Sequence, residues 1–188
     1  MNLLSALPRL LEIISRVYVW IFLNLYGWGK ILGGQFHRRG NLPEEVAQIP
    51  LAEVGAYDLA WTFMGYSQAY ILFIGISQVI GAWLLLLNRT KILGVAILLP
   101  VMFNVLVFDA IFLDTKGALV NATIYTLMLF YILFYNRVAV IEAFHSLTSS
   151  AERSGLTSGE RISELLLGFG LGGLIFVVDQ LLVNWVGH

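Results

Sequence analysis

The sequence predicts an all-α membrane protein: a polytopic helical bundle with a four-helix core and a fifth, C-terminal transmembrane helix. Three observations predict it. Hydrophobic residues make up 59% of the chain and charged residues 12%, about half the charged share of a soluble domain. The apolar residues fall into uninterrupted runs near the ~20 residues that a helix needs to cross a bilayer. Short polar turns, Asn88-Arg89-Thr90-Lys91 and Asp114-Thr115-Lys116-Gly117, join those runs and force antiparallel returns. One compact bundle is expected.

Residues 1–16 carry a helical stripe of Leu3, Leu7, Leu10, Leu11 and Ile14, with Arg9, Glu12 and Arg16 between. They read as an interfacial amphipathic lead-in, or equally as the first turns of the first span. The N-terminus has no basic n-region and no small-residue cleavage site, so no removable signal peptide is expected.

Residues 17–135 form the four-helix core, with an outer loop over 37–66. The first span runs from Tyr18 to Phe36, and His37-Arg38-Arg39 marks its exit. Gly29 and Gly33, four apart, either let a neighbouring helix approach or relieve packing around aromatic residues. In the loop, Pro43 and Pro50 stand where helices begin. Asp58 to Leu87 is too long for one span, so it divides near Gly65. The piece before Gly65, with Trp61, Phe63 and Tyr66, is expected to lie over the bundle as a lid. The next spans are 67–87, 92–113 and 118–135. Pro100 interrupts the third, and its freed carbonyl region needs Asn104 or a neighbour.

Residues 136–162 read as a cytoplasmic loop, flexible from Ser146 to Gly159. Residues 163–188 form the fifth span, whose glycine face (Gly168, Gly172, Gly173) suits close docking on the bundle. Counting basic residues sets the topology. Arg9, Arg16, Arg89, Lys91, Arg137, Arg153 and Arg161 fall on one side, and Arg38, Arg39 and Lys116 on the other. The positive-inside rule then places the N-terminus in the cytoplasm and the C-terminus outside, as in a bacterial inner membrane protein.

Against this background one residue is out of place. Lys30 lies inside an apolar run, where a charge costs about 2.5–3.5 kcal/mol unless it has a partner or water. At about 1.5 Å per residue, Lys30 lies roughly 9 Å below the outer exit and Asp109 roughly 6 Å below the same side. Asp179 lies at a similar depth in the fifth span. Asn104, Asn121 and Tyr26 belong to the same half, and Gln78 lies nearer the midplane. The inner half is read as almost free of ionisable residues away from the interface.

Lys30, Asp109, Asn104, Gln78, Asn121 and Tyr26 are therefore the candidate ligand-binding set. They would form a polar cavity in which Lys30 meets an anionic or carbonyl group and Asp109 can exchange a proton. The competing reading is a buried ion pair of Lys30 with Asp109 that only holds the bundle in register.

Other chemistry is thin. The chain has no cysteine, which excludes thiol catalysis and thiolate metal sites. His37 with Glu44, Glu45, Glu53 and Asp58 has no metal-ligand spacing, and no metal is expected. No histidine falls within a span, which argues against bis-histidine haem. A net charge of −1 makes nucleic acid an unsuitable partner. No nucleophile elbow or phosphate-cradling loop is present, so whether the chain catalyses a reaction is left open.

Two segments carry a family resemblance. One is Tyr26-Gly27-Trp28-Gly29-Lys30. The other runs from Gly75 through Gln78, Gly81 and Trp83 into a leucine run and Arg89; Gly117 to Asn121 adds to it. Over roughly residues 16–135 the sequence resembles the DoxX-like family of small four-helix membrane proteins. The resemblance implies the four-helix core and a loose association with quinone- or sulfur-linked redox complexes, or with stress and assembly roles. Gln78 stands where that family often has a glutamate, and the fifth helix lies outside its basic unit.

Two functions follow as expectations. The first is a membrane subunit binding a small amphipathic molecule, quinone-like or lipid-like, in the outer half of the bundle. The second is a non-catalytic accessory or assembly subunit of a larger membrane complex, with a membrane-protein partner and a purely structural polar layer. A transporter is the weaker third, since no inverted repeat is evident.

Overall fold

The computed structural model describes residues 3–114, 116–149 and 158–186, and among these it is helical with no strand. The helices are α1 (Leu3–Leu32), α2 (Glu44–Ala47), α3 (Ala56–Gly65), α4 (Gln68–Leu86), α5 (Lys91–Phe112), α6 (Lys116–Tyr135), α7 (Arg137–Ser149) and α8 (Ser158–Val186). Four of them have the length and apolarity to cross a membrane: 68–86, 91–112, 116–135 and 159–183. The protein is an all-α polytopic membrane protein.

The chain divides into two units, Met1–Ile141 and Glu142–His188. In the first unit α1, α4, α5 and α6 form an antiparallel bundle, each packed on its sequence neighbour, with α6 closing back on α1. Val19, Leu23, Leu85, Val95, Leu98, Leu129 and Ile132 fill its core. Large apolar side chains such as Phe73, Trp83, Phe103, Leu127 and Phe130 point outwards, as expected where lipid and not water is the solvent. In the second unit α8 is one long apolar helix, with open space beside Gly168, Gly172 and Gly173.

Glycines set the helix spacing. A Cβ on Gly27 would come within 3.0 Å of the Gly75 carbonyl oxygen, and one on Gly75 within 3.0 Å of that of Gly27, so α1 and α4 touch backbone to backbone. A Cβ on Gly94 would lie 2.8 Å from the Gly81 carbonyl oxygen, so α4 and α5 meet in the same way nearer their turn. The close approach expected at Gly29 and Gly33 occurs instead at Gly27. Gly29 faces open space, and Gly33 lies beyond the helix at φ 100°.

Several expected boundaries change. From Leu3 onwards the expected lead-in and the expected first span are one continuous helix, because the apolar stripe of residues 3–14 keeps helical phase into Tyr18. That helix ends at Leu32, not Phe36: the amides of Gly33 and Gly34 turn back onto the Gly29 carbonyl, a glycine-terminated helix end. In the outer loop Pro43 caps α2. Pro50 opens only a turn, closed by the bond from the Glu53 amide to its carbonyl, and α3 starts later, at Ala56. The division at Gly65 is observed.

Pro100 does not break α5, which runs through it unbroken; Asn104 makes no hydrogen bond among the described residues. The loop assigned to 136–162 contains α7 over 137–149, since Val138, Val140, Ile141 and Phe144 supply apolar residues at helical spacing. The flexible stretch expected at 146–159 is helical at both ends, and its middle lies outside the described residues.

Candidate polar cavity around Lys30 and Asp109

Lys30 occupies the last turn of α1, where a cation complements the partial negative charge of the helix end. With the helix ending at Leu32, Lys30 is shallower than the expected six residues from an exit. It is nevertheless only 5% exposed, and Asp109, near the end of α5, is 8% exposed. A cover accounts for this burial better than depth does. After the Gly33 turn the chain folds back, and Arg38 Nη2 donates to the carbonyl oxygens of Lys30 (3.0 Å) and Ile31 (3.3 Å). Phe36 takes the left-handed conformation, φ 75°, which is strained for a bulky side chain. Its ring lies 5.8 Å from Lys30 Nζ and 5.4 Å from the ring of Trp61 on α3.

The α3 lid is held to this turn at several points. The His37 amide donates to the Trp61 carbonyl at 3.3 Å, and the His37 ring pairs with Asp58 at 3.1 Å. Gly65 lies so close to the His37 carbonyl that any side chain there would collide with it. The aromatic lid expected from Trp61 is thus built, though Phe63 and Tyr66 point out of it.

Beneath the lid are two cavities that share Lys30, Gln35, Trp61, Val105 and Asp109. One, of about 280 Å³, is lined by polar groups including Tyr26, Gln78, Asn121 and Tyr125. The other, of about 350 Å³, is lined mainly by apolar groups, among them Phe36, Tyr70, Phe73, Pro100 and Phe108, with Asn104. All six expected residues therefore line this space: Lys30 and Asp109 both chambers, Tyr26, Gln78 and Asn121 the polar one, Asn104 the apolar one. Asp179 belongs to α8, is exposed, and accepts a hydrogen bond from Gln180.

Lys30 and Asp109 do not form an ion pair; the ion pairs among the described residues are elsewhere. Lys30 Nζ makes no hydrogen bond among the described residues and faces the rings of Tyr26 and Phe36, each 5.8 Å away. Gln78 Oε1 is buried without a hydrogen-bond partner. An ammonium, a carboxylate and an amide oxygen thus converge on one space without a hydrogen bond between them. Such groups are costly unless something satisfies them.

Against this geometry stand the comparisons with known proteins. No family model matches the chain, and no solved structure matches it. Over 111 residues it is 32% identical to the uncharacterized protein YwoB of Bacillus subtilis (strain 168), a stretch covering 59% of this chain and 68% of that protein. The chain belongs to the YwoB family. The family link fixes kinship without assigning a reaction.

A second polar cluster lies at the other end of the bundle, where the sequence predicts almost no ionisable residue away from the interface. Glu12 is 3% exposed and Arg16 7%. Glu12 accepts from Lys91 Nζ (3.0 Å) and Asn136 Nδ2 (3.4 Å), and lies 3.5 Å from Arg16. Arg16 also donates to the carbonyls of Leu85 and Leu86 and to Asn88 Oδ1, so it caps the exposed end of α4. This cluster ties all four bundle helices, with every charge partnered. The available signal was the spacing of Glu12 and Arg16, four apart on one helix face.

Proposed function

We propose that this chain is an integral membrane protein of DoxX-like type that binds a small amphipathic molecule, quinone-like or lipid-like, in the polar cavity beneath the lid. The observation that carries this reading is the unpaired state of Lys30 beside Asp109. Both are buried, and both face the same two chambers. A lysine needed only for stability would be expected to close on the carboxylate, as Lys91 closes on Glu12 at 3.0 Å. An open arrangement leaves the ammonium for an anionic or carbonyl oxygen of a ligand, and the carboxylate for a proton-bearing group.

In this reading the lid end is the outer side of a bacterial inner membrane, with the N-terminus in the cytoplasm and the C-terminus outside. The support is the collection of Arg9, Arg16, Arg89, Lys91 and Arg137 at the opposite end. A redox association rests on the DoxX-like resemblance. The competing reading, an accessory or assembly subunit with a structural polar layer, would have Lys30 and Asp109 hold each other, and the missing contact counts against it.

Mass spectrometry of what copurifies with the protein tests the proposal. A small amphiphile should accompany the wild type and be lost from Lys30→Met, with elution and helical content unchanged. Equal retention by both proteins overturns it. A stoichiometric polypeptide with no small molecule favours the accessory role.

A further inference from the structure

The seam between α4 and α5 opens into the cavity beneath the lid, and that seam has a chemistry of its own. Along α1 and α4 the backbones touch at Gly27 and Gly75, at the level of the cavity, so no chain can pass there. Between α4 and α5 the glycine contact lies at Gly81 and Gly94, towards their turn. Farther along, the two helices carry Tyr70 and Phe73 on one side and Pro100 and Asn104 on the other, and the apolar chamber lies between them. Tyr70, Phe73, Pro100 and Asn104 are also exposed on the outside of the bundle. The chamber is therefore lined continuously from the face of two membrane-spanning helices to Lys30. A carboxamide such as Asn104 on a lipid-facing surface is costly, and here it stands at the mouth of that passage.

We infer that the ligand reaches Lys30 sideways, from the bilayer, through the α4–α5 seam. Its hydrocarbon chain lies in the apolar chamber and its head in the polar one. The inference rests on the binding role proposed for the cavity and adds the route, the orientation and the class of head group. The head is one that both accepts and donates hydrogen bonds. Lys30 can only donate, whereas Gln78 Oε1, buried and unpartnered, can only accept. A carboxylic acid in its protonated form or a hydroxyl, as in a quinol, meets both demands; a carboxylate, or a head with carbonyl acceptors alone, leaves Gln78 Oε1 unsatisfied.

The test uses the full-length protein in vesicles of uncharged phospholipid, with a long-chain fatty acid spin-labelled near its carboxyl as the probe. Wild type should show a saturable immobilised fraction by electron paramagnetic resonance that Lys30→Met lacks. The chain has no native cysteine, so Phe73→Cys can be blocked with a bulky maleimide at the mouth of the seam. Blocking should cut the saturable fraction at least tenfold relative to the same variant unblocked. The same label on Leu127→Cys, exposed on α6, should leave it unchanged.

If the Lys30-dependent fraction survives blocking at Phe73, the lateral route is overturned while the binding site stands. If no Lys30-dependent fraction exists, the binding reading and the route fail together. Competition then assigns the head: displacement by unlabelled fatty acid alone points to a lipid acid, and displacement by an alkyl quinol points to the quinol. A matching alkyl quinone that competes as well as its quinol overturns the two-way hydrogen-bonding requirement.

Discussion

Arg38 donates a hydrogen bond to the main-chain carbonyl of Lys30 at 3.0 Å. The residue that folds back over the end of α1 thus caps the very residue whose side chain enters the cavity. Removing the guanidinium should fray that turn. Arg38→Met is expected to lose about 1–3 kcal/mol, the range for leaving buried groups unpaired. Hydrogen exchange should quicken at the amides of Gly33 and Gly34 while the core of α4 stays protected.

Phe36 holds its ring beside Lys30 at the cost of a left-handed backbone. Two variants separate ring from strain. Phe36→Ala and Phe36→Gly both delete the ring, but only glycine is at ease at φ 75°. Phe36→Gly should therefore melt higher than Phe36→Ala, by about 1 kcal/mol in stability. On the binding role proposed above, both should release the ligand faster than wild type.

Gly65 is where the lid meets the turn after α1. Gly65→Ala places a methyl group against the His37 carbonyl, so α3 must shift and the bond from the His37 amide to Trp61 must stretch. A loss of about 1–3 kcal/mol is expected for such overpacking. Trp61 fluorescence should move to the red in a variant that retains the other tryptophans as phenylalanine.

Glu12 accepts from Lys91 and Asn136 and neighbours Arg16. Glu12→Ala leaves two cations facing one another at a buried position, and breaking one partner of such a cluster costs about 3–5 kcal/mol. Thermal unfolding in detergent should show this loss. Lys30→Met, which breaks no ion pair, should unfold within about 1 kcal/mol of wild type, the ordinary range for a single change.

Much of this was legible in the chain. The spans of α4, α5 and α6 follow from apolar runs between short polar turns, and their ends fall within about two residues of those expected. All six residues chosen for the cavity line it, because depth along a helix can be counted from its ends. What counting could not supply was the angular direction of each side chain and the fold-back after Gly33. Lys30 and Asp109 lie at matching depth but do not touch. Burial at the lid end comes from Phe36 and Trp61 as much as from depth, and that depends on a turn whose conformation Phe36 gives no local reason to expect. Glu12 and Arg16 were assigned to an interface because charges near a helix start read as solvated, whereas the bundle folds around them.

The seam between α4 and α5 is pinned at Gly94 and parted at Phe73. On the lateral route inferred above, a passage open at only one end of a membrane-spanning pair samples only the nearer leaflet. The lipids of that single layer, and any asymmetry the cell maintains between the two layers, would then decide which molecules come within reach of Lys30.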